Sequence, residues 1–599
     1  MNLSDLRFSE CASFYKLKDG VTLTDVNIRR MLVEVTEGKL RNYLFDIERE
    51  DGGNGTLFSL RVFKQKNNKP TFFIHPEPGW EEIKTGYFLF IECDRYVVVL
   101  KRNASIPKSI SDKIENVDYQ TLLALETRGD SVFKKLSMQN LDGSDYAMRN
   151  KTYESLDLSN NVSTVGISRY YIRSVKGNNG GEKFALTLNS SRINEFVDNL
   201  TVRDVCGWVR SKVDEIGQIG AMPDTLLSAF AKPERYSTVY QQLRPSSLLV
   251  FYGLLESIKD EQHAEFYHTN GNGQMRLIDN KVVERYISNI SKAFTQVQVL
   301  AKGNGNLYYT GENNGIEIKI TKTGIRLVNQ TWKRISIEGT VDGEFDGTLQ
   351  SVINSNHQFN VYFTDRELVY NNNTLFRDTR LLASISQFLK VLKPIDALSG
   401  TQYEKFSAAS PAGMAAWGPD GIFHVVENEF MPNYTYFICD DYEDEWADHI
   451  GIGLDKVSFF VSKHKKSKDS ASDFQDVVGQ ALKDLGNLSP TQGQLNAKAA
   501  GWAGPYLTSA MQRFRSNVGT VQDAINLWRS NVMSPNYVRE MCLVVDFLSY
   551  NTFSRQLNDL ANNNLVAHEA SLYQRLWILS SFVNGCLEVG VKPVIYCKR

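Results

Sequence analysis

The sequence predicts a multidomain α+β protein, on three observations. At 599 residues the chain is several times longer than a typical ~150-residue domain. Hydrophobic residues make up 42% and charged residues 23%, ordinary globular usage that excludes a disordered, collagen-like or fibrous chain. The residue pattern alternates along the chain between strand-like and helix-like spacing. The expected division is a β-rich N-terminal domain over 1–192, a helical then β-hairpin middle region over 193–394, and an α/β domain over 395–599.

In the first region, RNYLFDIE, GTLFSLRVFK, PTFFIH, GYFLFIEC and RYVVVLKR are rich in aromatic and β-branched residues. DGGNG, KNNKP and PEPGW separate them with turn chemistry, so they read as strands. SRYYIRSV and EKFALTL, broken by GNNGG, add two more. From about 193, RINEFVDNLTVRDVCGWVRSKVDEI and SSLLVFYGLLESI place apolar residues three and four apart, which predicts helices. NLYYTG, GIEIKITK, IRLVNQTW, QFNVYFTD and ELVYNNNTLF return to hairpin character. ASISQFLKVLKPI reads as a helix ended by Pro394, ahead of a long polar loop.

In the last region YTYFICDD (434–441) and KVSFFVSKHK (456–465) read as strands, and Asp473 to Leu485 as a helix capped by Ser472 and Asp473. REMCLVVDFLS is a buried strand by its apolar middle. SLYQRLWILSSFVNGCLEVG is a helix ended by Gly590, and KPVIYCKR a closing strand.

Net charge is −2, so any attraction to nucleic acid must come from a local patch. No apolar run is long enough for a membrane span, and Arg7 and Glu10 interrupt the start where a signal peptide needs apolar residues. Seven scattered cysteines without a CxxC pair point to reduced, mostly buried thiols in a cytoplasmic protein. There is no Walker loop, HExxH, GxSxG or kinase signature, and the GNG at 303–305 reads as a turn. His263 and His268 read as surface residues.

One segment carries chemistry. Asp440, Asp441, Glu443, Asp444, Glu445 and Asp448 crowd into nine residues at the end of an apolar strand. A second apolar strand then delivers Lys463, with Lys465, Lys466 and Lys468 close behind. Acids this close repel unless they are solvated or share a cation, and Mg²⁺ takes one or two carboxylates together with waters and a phosphate. A nearby lysine suits the charge that develops on a phosphodiester under attack. An acid-bearing strand beside a lysine-bearing strand is the arrangement of PD-(D/E)XK nucleases.

The order CDDxxxExADxI, an apolar strand ending in lysine, then VxGQA on a helix resembles the HamA-like nuclease subunit of the Hachiman antiphage system, as does the closing SSFVNGCLEVGVKPVIYC. The resemblance covers roughly 395–599 and implies a C-terminal α/β PD-(D/E)XK-like nuclease domain. By position it implies Glu445 and Asp448 for the acidic motif, Lys463 for the catalytic lysine and Gln480 for the helix glutamine. Asp441, Glu445 and Asp448 are then the candidate ligands for Mg²⁺ or Mn²⁺. Lys465, Lys466 and Lys468 are candidate nucleic-acid contacts. Val461 departs from the pattern, standing where an acid or polar residue is expected; Glu445 or Asp441 is a candidate to fill that place.

Glu317-Ile318-Lys319 offers a formally better ExK, but its setting predicts a hairpin with cross-strand charge pairs. Trp80, Trp208 and Trp332 are expected at cores and edges. The aromatics and lysines of 60–101 fit alternation through buried strands more simply than single-strand binding. The expected function is a metal-dependent nuclease cutting DNA (or RNA) in antiphage defence. Residues 1–390 would sense a phage-derived trigger, restrain the nuclease or mediate self-assembly into a homo-oligomer, and a helicase is a candidate partner. Two alternatives fit the same residues: a non-catalytic nucleic-acid-binding protein with a degenerate nuclease fold, and an adaptor whose acidic loop binds a partner.

Overall fold

The computed structural model describes residues 2–599 except 37–39, 68–76, 128–129, 142–148, 160–161, 163–168, 221–224, 252, 261–263, 293–299, 302–306, 311–314, 339–344, 366, 378–384, 408–410, 443, 467–469, 535, 563 and 565–568. It is a mixed α+β structure with a large β-rich N-terminal region and helices later in the chain. Two compact units emerge. The first comprises 1–158, 169–223 and 231–379, and so takes in both 1–192 and most of 193–394. The second comprises 159–168, 224–230 and 380–599.

The first unit contains an eleven-stranded antiparallel sheet. Strands Leu40–Gly53, Thr56–Asn67, Glu82–Cys93 and Tyr96–Arg102 form a meander, as the turn residues predict. The PTFFIH run lies outside the described residues. Cys11–Leu17 joins the meander to Arg192–Asn194, Glu182–Thr187 and Tyr170–Asn179, so the long apolar strands of the meander gain a partner from the opening of the chain. The expected helix after 193 runs from Val202 to Gln218 and is opened by a capping box of Thr201 and Asp204.

Later strands form three smaller sheets. Asn372 and Asn373 adopt left-handed φ of +49° and +59° and close the hairpin Leu368–Asn371/Thr374–Arg377, as NNN suggests. Glu317 and Lys319 lie on a strand within an antiparallel meander. Glu317 faces Tyr309 and Val328, and Lys319 faces Leu307 and Arg326. Trp208 and Trp332 are buried, whereas Trp80 is exposed.

The second unit is built on a six-stranded mixed sheet. Its strands are β1 (Leu392–Pro394), β2 (Tyr436–Cys439), β3 (His449–Ile452), β4 (Lys456–Lys463), β5 (Val538–Ser549) and β6 (Lys592–Lys598), in the spatial order β1-β6-β5-β4-β3-β2. β2, β3 and β4 are an antiparallel meander; β4, β5, β6 and β1 are parallel. Helix α1 (Ile422–Phe430) precedes β2. Helices α2 (Ala471–Lys483), α3 (Gln492–Trp502) and α4 (Val521–Asn531) lie between β4 and β5, and α5 (Tyr550–Ala561) and α6 (Glu569–Glu588) between β5 and β6.

The central strands are covered on both faces, which is why they read as nearly unbroken apolar runs. Val457, Phe459, Val461 and Leu543 enter one core with residues of α2, α4 and α6. Phe460, Cys542 and Val544 enter the other, against Ile422, Val425 and Val426 of α1. All seven cysteines are free thiols, six of them buried.

Three expectations about elements are corrected. SSLLVFYGLLESI, expected as a helix, opens as the strand Pro245–Val250 paired with Phe359–Phe363, and among the described residues only Gly253–Asp260 is helical. The helix expected to end at Pro394 is only Ile385–Leu389 among the described residues, and Leu392–Pro394 is instead an edge strand paired in parallel with Ile595–Cys597. The partner strand overrides local helix spacing, and an edge tolerates the missing proline N–H. Helix α2 begins at Ala471, with Ser470 rather than Ser472 at its N-cap position.

Candidate metal and phosphate site

The site forms where β2, β3 and β4 end at one edge of the meander. β2 runs out into Asp440 and Asp441, which belong to different networks. Asp440 is fully buried and accepts hydrogen bonds from Lys498 Nζ (2.9 Å to each oxygen), Trp502 Nε1 (2.7 Å) and the Trp446 amide (2.8 Å). It holds the acidic loop in place and is saturated by these donors. Asp441 instead meets Lys405 Nζ at 2.6 Å and accepts the Tyr506 hydroxyl at 2.7 Å.

The loop returns through Trp446, whose ring lies about 6 Å from the rings of Trp502 and Trp528 in the core. This anchor sets Glu445 on one side and leads into β3 on the other. Asp448 stands just before β3. The register pairs His449 with Phe460, so Asp448 faces Val461, and its Oδ2 accepts the Ser462 N–H at 2.5 Å. Carboxylate oxygens of Asp441, Glu445 and Asp448 all lie within 4.8 Å of one another.

The three expected ligands are therefore brought together. Burial, then the neighbouring Asp441, push Asp448 well above the usual carboxylate range, and the same two causes raise Glu445. Both shifts express the cost of gathering negative charge out of water, a cost that a shared hard cation relieves. The donor set is all oxygen and suits Mg²⁺ or Mn²⁺.

Gln480 on α2 donates to Glu445 Oε1 at 3.4 Å, so the helix glutamine does reach the acidic cluster. Lys463 ends β4, one residue beyond the amide that Asp448 holds, and its Nζ lies 3.4 Å from Glu404 Oε2. Glu404 is close enough for its charge to raise Asp448 further. Val461, at the position where an acid was expected, is packed in the core between Asp448 and Leu543.

Glu404 and Lys405 were missed by the sequence reading. They lie in the polar loop before α1, where no periodicity marks them. The loop is tied to the start of α1 by bonds from the Phe423 amide to the Glu404 carbonyl and from the Gly418 amide to the Lys405 carbonyl. A Cβ on Gly418 would lie 2.6 Å from the Tyr403 hydroxyl, and one on Gly421 would lie 2.9 Å from the Lys405 carbonyl, so this approach requires glycine at both positions. Burial disfavours the Lys405 ammonium, but Asp441 and then Asp448 outweigh it and keep the group charged.

The remaining lysines are placed differently. Lys465 pairs with Asp476 (3.0 Å) and Asp473 (3.8 Å) of α2, and Lys466 is exposed. Lys468 lies outside the described residues, as do Glu443, His263 and the GNG turn. His464 Nδ1 lies 2.6 Å from the buried Asp546 of β5, which also accepts the Thr401 hydroxyl at 2.8 Å. Asp546 was not a sequence candidate because it sits inside an apolar strand.

The arrangement can hold a divalent ion on three carboxylates, with the Lys405 ammonium paired to Asp441, Lys463 paired to the neighbouring Glu404, and Gln480 bonded to Glu445. No family model, curated protein or solved structure matches this chain.

Proposed function

We propose that the second unit is a divalent-cation-dependent nuclease of PD-(D/E)XK type that cleaves DNA, with RNA as the other candidate substrate. The observation that carries this reading is the convergence of Asp441, Glu445 and Asp448 within 4.8 Å at the sheet edge where β4 delivers Lys463. The chain order of a helix, a three-stranded antiparallel meander, the helices α2 to α4 and then a parallel strand supports the same superfamily. The resemblance of 395–599 to HamA-like subunits supports a role in antiphage defence, with a helicase or a phage-derived trigger as partner.

When bound, Mg²⁺ or Mn²⁺ supplies charge neutralisation at a phosphoryl oxygen and a lowered pKa for attacking water. The chain's own groups do the rest. Asp448 is fixed by the Ser462 amide and Glu445 by Gln480, so both carboxylates are held in place before substrate arrives. In this reading Lys463 stabilises the charge that develops on the phosphate. Glu404, hydrogen-bonding distance from Lys463, fills the acidic role that Val461 leaves vacant and keeps that ammonium oriented.

The buried Val461 favours one rival, a nuclease-like domain that binds nucleic acid without cutting it. Incubating the purified protein with plasmid and with oligonucleotides, in Mg²⁺ and in EDTA, separates the two. Cleavage that requires Mg²⁺ and is lost in Asp448→Ala and Lys463→Ala supports the nuclease. Binding without cleavage in any divalent ion rejects it.

A further inference from the structure

The first unit carries a groove that the nuclease reading does not use. It measures about 700 Å³, within the roughly 300–1,000 Å³ range of ligand sites. Phe8 and Tyr87 form its aromatic wall, their rings 5.2 Å apart and nearly perpendicular. Val62, Tyr87 and Arg102 stand opposite one another on three adjacent strands and form its floor. Arg7 and Lys84 complete the basic lining, Lys84 lying 3.8 Å from Glu82. Among the described residues no carboxylate lines the groove.

The arginines matter because of what they lack. Among the described residues Arg7 bonds to the carbonyls of Ser4 and Leu6. Arg192, whose charge together with that of Arg102 reaches the Tyr87 hydroxyl, bonds to Cys11 Sγ among the described residues. Among the described residues no carboxylate pairs with Arg7, Arg102 or Arg192. Arg102 and Arg192 act on Tyr87, and Arg7, which also acts on Asp204, lines the same groove, so the patch is locally positive in a chain whose net charge is −2.

We propose that this groove binds a segment of single-stranded nucleic acid, with Arg7 and Arg102 on backbone phosphates and a base stacked on the Tyr87 ring. Phosphates answer the unpaired guanidinium groups, and the aromatic wall gives a base a surface that a lipid headgroup would leave unused. The inference does not rest on the nuclease reading, since none of its residues belongs to the carboxylate site.

The test is fluorescence anisotropy of a labelled oligothymidylate with full-length protein in EDTA, so that no cleavage intervenes. Wild type is expected to bind with affinity that falls as salt rises. The double variant Arg7→Glu/Arg102→Glu should bind at least about tenfold more weakly. In Arg7→Gln/Arg102→Gln the plot of log affinity against log salt should be shallower by about 1.4, two phosphate contacts at roughly 0.7 each. Tyr87→Leu should weaken binding about tenfold. Both arginines are exposed, so their variants fold, and an unchanged circular dichroism melt verifies this. Affinity unchanged in the arginine variants, no binding by wild type, or capture of phosphatidylglycerol vesicles in place of the oligonucleotide overturns the proposal. If Mg²⁺-dependent cleavage fails while this binding survives, the nuclease reading falls and the groove stands.

Discussion

Replacing Asp448 by asparagine should make the metal-free protein more stable and the metal-loaded protein less so. The change removes one charge yet keeps an oxygen to accept the Ser462 amide. Two unit charges 4.8 Å apart repel by about 3.5 kcal/mol at an effective dielectric of ~20. Lys405 offsets part of this, and Glu445 is only half-buried, so the expected gain in EDTA at neutral pH is about 1–2 kcal/mol. The pH dependence has a definite sign. Burial and Asp441 raise Asp448 and Glu445, so the folded protein retains protons that the unfolded chain releases. Their contribution to stability is complete below the unfolded carboxyl values of about 4 and is lost as pH rises through the folded values. Metal-free wild type should therefore weaken from about pH 4 toward neutrality, and Asp448→Asn should weaken less. Mg²⁺ at a hundred times its Kd should add about 2.7 kcal/mol to wild type and far less to the variant. Urea unfolding followed by pulsed hydrogen exchange of peptides covering 456–463 reads the second unit alone. A variant less stable than wild type in EDTA, or one with an equal Mg²⁺ increment, would refute the reasoning.

Lys463→Met should lower the single-turnover cleavage rate by about 10²–10³-fold while leaving the urea midpoint unchanged, since its side chain is one-quarter exposed and makes one ion pair at 3.4 Å. A loss below about tenfold would remove Lys463 from the chemistry. Glu404→Gln, equal in size, should cost on the order of tenfold in rate, about 1.4 kcal/mol, with stability retained; unchanged cleavage would show that Glu404 does not fill the place left by Val461. Glu540 on β5 is buried, which alone would raise it, but Lys592 at 2.9 Å and Lys456 at 3.6 Å prevail and hold it below its usual value. Its contribution is present above the ordinary glutamate value of about 4.3 and is lost as pH falls through the folded one. Glu540→Gln should accordingly cost about 1–3 kcal/mol at pH 7, discounted for the exposed lysines, and the deficit should shrink in acid; a deficit independent of pH would contradict the ion-pair account.

Much of this was legible because it is local. The strands of the N-terminal meander and of the second unit follow from alternation and from apolar runs, and the three candidate ligands lie within one short segment. Gln480 came from motif order and does reach Glu445. What was not legible depends on distant partners. Leu392–Pro394 becomes a strand only because β6 lies beside it. Glu404, Lys405 and Tyr506 come from loops, which have no period to read. Two adjacent acids, Asp440 and Asp441, look alike in sequence, yet Lys498 and Trp502 claim the first and leave the second to the site. Lys465 resembles a phosphate contact until α2 supplies Asp473 and Asp476.

The position of β6 has a consequence for biosynthesis. It lies between β1 and β5, yet both neighbours leave the ribosome before it does. Until residues 592–598 are translated, β5 presents an apolar edge with no hydrogen-bonding neighbour on that side, and β1 has no strand to join. Parallel insertion of a late strand into the middle of a sheet is a non-local, slow step. A nascent chain therefore carries the carboxylates and lysines of the candidate site before the sheet that positions them is finished.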